Sequence, residues 1–282
     1  MNEEVTIVLI SHKSRYLISN FIKNIYDKFE IIIIDNANDK KLELEIKHNY
    51  PNVIIKLIEN NGYGAAINYA SKLIKKNYFL ICNPDVEGLN EKNIQNFITA
   101  AKSLDDKFSS LGPRYINVNR KSHVQSDPDK EVAEMMFISG ACMFFKKEKF
   151  DQLGGFDENF FLYFEESDFC LRSYKINKNY QINKIKLKHY NGTSVSTKNA
   201  KEKNELQELY TWHFIWSKFY YYKKHYSFIL AFIYFIPIIL RIIFRISFYL
   251  LKDDKININK YKTRWSGLIN SIKGNKSYKR LY

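Results

Sequence analysis

Apolar and polar positions fall along this chain in blocks. Val5–Ile10, Ile31–Ile34, Val53–Ile58 and Tyr78–Cys82 are near-continuous runs of Ile, Val, Leu and Phe. Such runs suit parallel strands buried on both faces, which have no need of polar-out alternation. Between and after them, residues 14–26, 40–48, 64–76 and 90–103 carry helical patterning. Strands alternating with helices predict an α/β chain with a doubly wound, mainly parallel, Rossmann-like sheet. Residues 137–146 read as a further strand interrupted by Gly140, and a glycine in a strand marks close backbone approach. A strand near 180–187 leads to His189, and a helix rich in Trp and Tyr is predicted over 197–225. Tyr226–Leu251 is the most hydrophobic segment. The predicted organisation is one domain over 1–196 and a helical region over 197–282.

In doubly wound sheets, ligands bind at the carboxyl ends of the strands. Polar residues gather at those ends here. Ser11 and His12 follow the first strand, Asp35 and Asn36 the second, Asn60–Asn68 the third, and Asn83-Pro-Asp85 the fourth. Any one of these is ordinary turn chemistry. Four on the same edge call for another explanation. Asn60–Asn68 is glycine-rich and opens a helix, where exposed amides favour phosphate or another anion. It is neither a Walker A loop nor a G-x-G-x-x-G fingerprint. Asp85 stands beside a rigid proline at a strand end, where a hard divalent cation bridging phosphates needs an oxygen ligand. His189 could complete that site; read alone, it is as well explained as a satisfied core or surface histidine.

The stretch Gly154–Arg172 mixes Asp157, Glu158, Glu165, Glu166 and Asp168 with Phe156, Phe160, Phe161, Tyr163, Phe164 and Phe169. A solvated helix face does not need those rings, and a plain core does not tolerate those carboxylates. A lined pocket with an acid or base at its rim accommodates both. Phe160, Phe161 and Tyr163 could stack on a sugar or simply pack.

Composition narrows the partner classes. The chain has 282 residues, 45% of them hydrophobic, which argues for a folded protein. Its three widely spaced cysteines have no metal spacing and read as reduced thiols. The acidic start and short first apolar run predict a first strand and not a signal peptide. The net charge of +14 is concentrated at one end. Residues 198–282 hold 17 Lys/Arg against 5 Asp/Glu (+12), leaving 27 against 25 (+2) for residues 1–197. A nearly neutral body with a basic tail admits an anionic membrane surface or nucleic acid as partner, but no nucleic-acid motif is present. Arg241 and Arg245 break Tyr226–Leu251, leaving an apolar run of only 15 residues before Arg241, and Pro237 predicts a kink. A spanning helix needs about 20 apolar residues. The expectation is a helix or hairpin lying in the membrane interface, with arginines reaching the headgroups; a true span and a core or dimer-contact helix are the alternatives.

Taken together, these motifs resemble family 2 glycosyltransferases, especially the bacterial rhamnosyltransferase-like branch. The resemblance runs from Val5 to about Ser194. It includes Ile33-Ile-Asp-Asn36, Asn61–Asn68, Asn83-Pro-Asp85, Gly112-Pro-Arg114, Ser139-Gly-Ala-Cys-Met143, the acidic–aromatic stretch, and His189 with Gly192 and Ser194. It implies a GT-A fold that binds a nucleotide-diphosphate-sugar with Mg²⁺ or Mn²⁺. By that likeness Asp35 bonds the base, while Ser11, His12, Asn36 and the Asn61–Gly62 turn line the nucleotide. Asp85 is the surviving acid of the family's Asp-x-Asp motif, with Asn83 in place of the first Asp, and His189 is a second metal ligand. Gly140, Ala141 and Glu165 border the sugar or acceptor pocket. Glu166 stands where the family has its base in an inverting transfer, and Asp168 is its rival or a helix anchor. The implied acceptor is a glycan or polyprenyl-linked sugar in cell-surface polysaccharide synthesis (O-antigen or capsule), at the cytoplasmic face of a bacterial inner membrane. A nucleotidyltransferase on a related sheet, or a basic lipid- or nucleic-acid-binding protein, are the competing expectations.

Overall fold

The structure, a computed structural model, describes residues 2–118, 124–190, 192–197 and 199–280. Asn191, within the run after His189, and Lys198, near the start of the predicted helix, lie outside the described residues. The chain divides into two compact units: Met1–Asp157 with Glu166–Ser196, and Glu158–Glu165 with Thr197–Tyr282.

The first unit is built on a mixed sheet. Its strands are β1 (Val5–Ser11), β2 (Glu30–Asp35), β3 (Ile54–Leu57), β4 (Tyr78–Cys82), β5 (Val86–Glu87), β6 (Ser110–Tyr115), β7 (Val132–Met135), β8 (Cys142–Lys146) and β9 (Asn179–His189). The order is β3-β2-β1-β4-β8-β6-β9-β5, with β7 also pairing β9. β3, β2, β1 and β4 run parallel, as the buried apolar runs require, whereas β8 enters antiparallel against β4. Helices α1 (Arg15–Ile22), α2 (Lys40–Asn49), α3 (Tyr63–Ser71), α4 (Glu91–Ser103), α5 (Lys147–Gln152) and α6 (Glu165–Tyr174) complete the described helices up to residue 196.

Alternate residues of the central strands feed two separate cores. Val5, Ile7, Leu9, Ile31 and Ile33 pack with Ile18, Leu42, Ile46 and Phe97 on one face. Val8, Ile10, Ile32 and Ile34 pack with Ile67, Phe150 and Phe169 on the other. With both sides covered, each strand is apolar along its length, and its polar residues are confined to its ends.

Several boundaries differ from the sequence reading. The predicted helices 14–26 and 64–76 stop at Ile22 and Ser71. The strand expected over 137–146 begins only at Cys142, so Gly140 belongs to the preceding loop. His189 is the last residue of β9 rather than part of the loop after it.

The second unit is helical. It holds α7 (Ala200–Tyr226), α8 (Phe228–Leu251) and α9 (Lys255–Ile272). Asn199 and Asp254 cap α7 and α9 by accepting the Glu202 and Asn257 amides at 2.9 and 3.0 Å. Gly267 lets α9 approach α7, since a Cβ there would lie 2.6 Å from the Trp212 carbonyl oxygen. Of the helix or hairpin expected here, α8 is a single helix of 24 residues that contains Pro237. Ala231, Phe235 and Ile242 of α8 are buried against α7 and α9. Its other side leaves Ile229, Ile233, Leu240 and Phe244 exposed. With a mean hydropathy of 2.3, α8 is long and apolar enough to cross a membrane by length and composition.

Candidate active site

The ends of β1 and β2 meet through pairing of Ser11 with Asp35. The Asn36 amide donates to the Ser11 carbonyl at 3.0 Å, and His12 Nδ1 lies 2.7 Å from Asn36 Oδ1. Burial holds the His12 imidazole below its ordinary pKa, so the ring is neutral at pH 7. Asp35 Oδ1 accepts the Ala37 and Asp39 amides at 3.1 and 2.9 Å. Its Oδ2, like Ser11 Oγ, is buried without a hydrogen-bond partner. Orphaned buried acceptors of this kind call for a donor from outside the chain.

The third strand end supplies a turn and a helix start. Asn60 Oδ1 accepts the Gly62 amide at 3.2 Å, and Gly62 takes φ +108°, a conformation that favours glycine. Asn61 sits inside this turn. Tyr63, a residue the sequence reading did not single out, then ties three motifs together. Its hydroxyl donates toward Asn83 Oδ1 at 2.8 Å and lies 3.0 Å from the Gly140 carbonyl oxygen. The Asn83 amide also donates to the Ala141 carbonyl at 2.8 Å, an extension of the β4–β8 pairing. An aromatic hydroxyl within the Gly-Tyr-Gly turn was the available signal for Tyr63. Asn68, at the far end of the same motif, is turned inward. Its side chain makes two 2.9 Å bonds to the Phe156 backbone, which fix the turn after Gly155.

Asp85 and His189 are brought together by strand pairing. β5 begins one residue after Asp85 and its Val86 pairs with His189. His189 Nε2 stands 3.5 Å from Asp85 Oδ1. The His189 backbone is fixed by Asn117, whose side chain accepts its amide at 2.9 Å and donates to its carbonyl at 3.2 Å. Both residues are buried, and neither carboxylate oxygen of Asp85 has a hydrogen-bond partner. A carboxylate with open lone pairs beside an imidazole is a donor set that fits a divalent cation. Among the described residues, no cluster of three or more His, Cys, Asp or Glu could hold a metal by itself. Further ligands would therefore come from a bound phosphate or water.

The acidic stretch divides by environment. Glu166 lies against Gly140, and burial raises its carboxyl above the usual carboxylate range. Its Oε1 accepts the Ser167 hydroxyl at 3.2 Å. Asp168 is fully buried and accepts Arg172 Nε at 2.8 Å. The same guanidinium donates to the Leu153 and Gly155 carbonyls, each at 2.7 Å. Asp168 is thus committed to holding Arg172 against the 153–155 turn.

Glu165 is buried and belongs to the second compact unit. Phe160 and Phe161 are buried there too, so of their two readings these rings follow the packing one. Phe160 packs on Tyr220, and Phe161 on His213 under the Arg280 guanidinium.

The family model described as Glycosyl transferase family 2 matches residues 7–168, more than half of the chain, and the chain belongs to that family. The low-salt glycan biosynthesis hexosyltransferase Agl10 of Haloferax volcanii is 26% identical over 204 residues, 64% of this chain. The chain likewise covers 64% of the length of that relative. The fold is of GT-A type. A similar solved structure is the mannosyltransferase PcManGT from Pyrobaculum calidifontis, in complex with GDP-Man and Mn²⁺. Its TM-score is 0.59 at 13% identity, over 96% of this chain and 88% of that one. Another is S. aureus TarS 1-349 with UDP-GlcNAc, at TM-score 0.53 and 14% identity over 98% and 93% of the two chains. At such identities the likeness is one of fold.

Proposed function

We propose that this chain is an inverting glycosyltransferase that moves a sugar from a nucleotide-diphosphate-sugar to a hydroxyl of a glycan or lipid-linked acceptor. The observation that carries the reading is the division of labour within the first unit. A pair suited to a cation and diphosphate, Asp85 and His189, accompanies one carboxylate of raised pKa, Glu166. That is the pairing an inverting transfer needs.

Ser11, His12, Asp35, Asn36 and the Asn61–Gly62 turn bind the nucleotide, with the open Asp35 oxygen taking an N–H of the base. Asn83 and Asp85 face the diphosphate. Asp85 and His189 hold Mg²⁺ or Mn²⁺, which when bound neutralises charge on the departing diphosphate. PcManGT, solved with GDP-Man and Mn²⁺, and TarS 1-349, solved with UDP-GlcNAc, support such a donor. Glu166 takes the acceptor hydroxyl proton as that oxygen attacks the anomeric carbon. The bond from that carbon to the diphosphate oxygen breaks, and the nucleoside diphosphate leaves with the electron pair. A carboxylate of raised pKa is a better proton acceptor than an exposed one, provided it is ionised at working pH. Gly140 and Ala141 border the sugar. Asp168 is an anchor through Arg172, not the base.

At the finer level, rhamnose is the expected sugar and bacterial surface polysaccharide the expected product. The exposed apolar side of α8, within a strongly basic C-terminal region, would hold the protein on an anionic membrane. A thermal-shift panel of nucleotide-diphosphate-sugars tests the donor, because a ligand of the native state raises its melting temperature. Release of nucleoside diphosphate on turnover supports glycosyl transfer, whereas pyrophosphate would identify a nucleotidyltransferase and sink the reading.

A further inference from the structure

The Tyr63 hydroxyl has one proton and two acceptors within reach. Asn83 Oδ1 lies at 2.8 Å and the Gly140 carbonyl oxygen at 3.0 Å. The ring behind this hydroxyl is the first residue of α3, half-buried, and packed on the core that holds Ile67 and Phe169. The hydroxyl is therefore a fixed point, and the shorter of its two contacts fixes the side chain of Asn83.

Asn83 is anchored everywhere but at one end. Its backbone amide donates to the Ala141 carbonyl at 2.8 Å, and its own carbonyl accepts the Val86 amide at 3.1 Å. Pro84, which follows, adds a backbone angle set by its ring. A carboxamide has an acceptor oxygen on one side and two N–H donors on the other. With the oxygen taken by Tyr63, the N–H side is turned away from that ring. Among the described residues, no acceptor is bonded to Asn83 Nδ2. Unlike the Asp85 oxygens, this nitrogen is not buried. It is open to a ligand.

Two residues on, Asp85 offers carboxylate oxygens beside the His189 imidazole. The two side chains have opposite chemistry. A carboxylate can ligate a cation and cannot donate a hydrogen bond, whereas an amide N–H donates and cannot ligate. A diphosphate carried on a cation at Asp85 leaves further anionic oxygens for direct hydrogen bonds, and N–H donors meet such oxygens in charge-assisted bonds.

We infer that Asn83 donates directly to a diphosphate oxygen of the sugar donor, outside the coordination of the cation, and that Tyr63 is the positioning residue that holds its amide in that sense. This deepens the glycosyl-transfer reading and rests on it. An aspartate at 83 would accept the same Tyr63 proton but turn a second oxygen outward. That oxygen would repel the diphosphate in the absence of a cation and ligate the cation in its presence.

The test titrates the full-length protein, in a nonionic detergent, calorimetrically with UDP, dTDP, GDP and ADP, each with saturating Mn²⁺ and with EDTA. The nucleotide that binds the parent most tightly is carried into Tyr63→Phe, Asn83→Ala, their double variant and Asn83→Asp. Each of the first two binds the nucleoside diphosphate about tenfold more weakly, the loss of one charge-assisted hydrogen bond, and the corresponding monophosphate as the parent does. The double variant is no weaker than Asn83→Ala, because Tyr63 acts through Asn83. The gain in affinity on adding Mn²⁺ is the parent's in Tyr63→Phe and Asn83→Ala and larger in Asn83→Asp. A merely structural role for Tyr63 would weaken both nucleotides alike, or add its loss to that of Asn83→Ala, and either result overturns the inference. Loss of the Mn²⁺ gain in Asn83→Ala also overturns it, since Asn83 would then be a cation ligand. If Asn83→Ala fails to fold, Tyr63→Phe, which keeps the packed ring, and Asn83→Asp carry the test, with an unchanged Mn²⁺ gain in Asn83→Asp as the overturning result. A parent that binds none of the four nucleotides sinks the transfer reading and this inference together. A parent that binds one of them, with additive losses in the variants, sinks the inference alone.

Discussion

Gly140 touches Glu166 where any other residue would begin its side chain. A Cβ at Gly140 would lie 3.3 Å from Glu166 Cβ and 3.4 Å from its Cγ. Gly140→Ala therefore forces the Glu166 side chain to shift by a few tenths of an ångström. Small misplacements of a reacting group cost rate more than binding. The expected outcome is a kcat reduced by about tenfold or more, with donor affinity unchanged in a binding titration. An unaltered kcat would remove the positional argument for Glu166.

Glu166→Gln tests the base directly. Turnover falls by about 10²–10⁴ while the donor thermal shift survives. Stability moves in the opposite sense. Burial raises the folded-state pKa of Glu166, so the folded protein holds that proton more tightly than the unfolded chain. Ionised Glu166 thus costs stability above its folded pKa, and the cost disappears below its unfolded pKa. The variant should melt higher than the parent at pH 7–8 and equally at pH 4. In the parent, kcat/KM should fall with decreasing pH at a midpoint above the ordinary carboxylate range.

Asp168→Asn has the reverse signature. It leaves Arg172, which also holds Leu153 and Gly155, without its buried counter-charge. Breaking one side of such a pair costs roughly 3 kcal/mol, measurable as a lower urea midpoint. Loss of activity should follow loss of fold. A well-folded but inactive Asp168→Asn protein would make Asp168 the base.

Asp85 and His189 are tested with Mn²⁺ present and absent. In the parent, donor affinity should rise with the metal. Asp85→Asn and His189→Gln should each reduce that increment by about tenfold or more while leaving metal-free binding of the nucleoside monophosphate intact. If both variants keep the full increment, the metal is held elsewhere.

The proposed membrane attachment rests on exposed residues of α8 that are not part of the buried core of the helical unit. Ile229, Ile233 and Leu240 are 70%, 55% and 62% exposed. Replacing all three with Gln should change the melting temperature little, since exposed substitutions seldom exceed ~0.5 kcal/mol. It should also move the full-length protein from the pelleted membrane fraction to the supernatant. A parent protein found wholly in the supernatant would end the membrane reading.

The strand ends were legible because a strand buried on both faces has only its ends free for polar residues. Ser11, Asp35 and Asn83 could be located from the apolar runs that precede them. β6 was not legible. Its Gly112-Pro-Arg114 holds residue types that break strand patterns, yet glycine stands there because a Cβ would meet Ile138 Cγ2 at 2.4 Å. The short β5 has no pattern of its own, although its pairing is what joins Asp85 to His189. α9 was hidden because its Lys and Asn residues face water, leaving Tyr261, Thr263, Gly267, Leu268 and Ser271 as a sparse buried stripe. Tyr63 was missed because its partners, Asn83 and Gly140, lie 20 and 77 positions away.

Phe160 and Phe161, just ahead of the helix that begins at Glu165, pack on Tyr220 and His213. His213 is bonded at 2.8 Å to the Lys279 carbonyl, and the Arg280 side chain lies 3.7 Å from the Phe161 ring centroid. A ribosome adds about 5–20 residues per second. The 158–165 segment therefore emerges several seconds before its last packing partners have been synthesised. Its packing within the helical unit is thus a late event of synthesis, completed after the last strand of the sheet, β9, has been made.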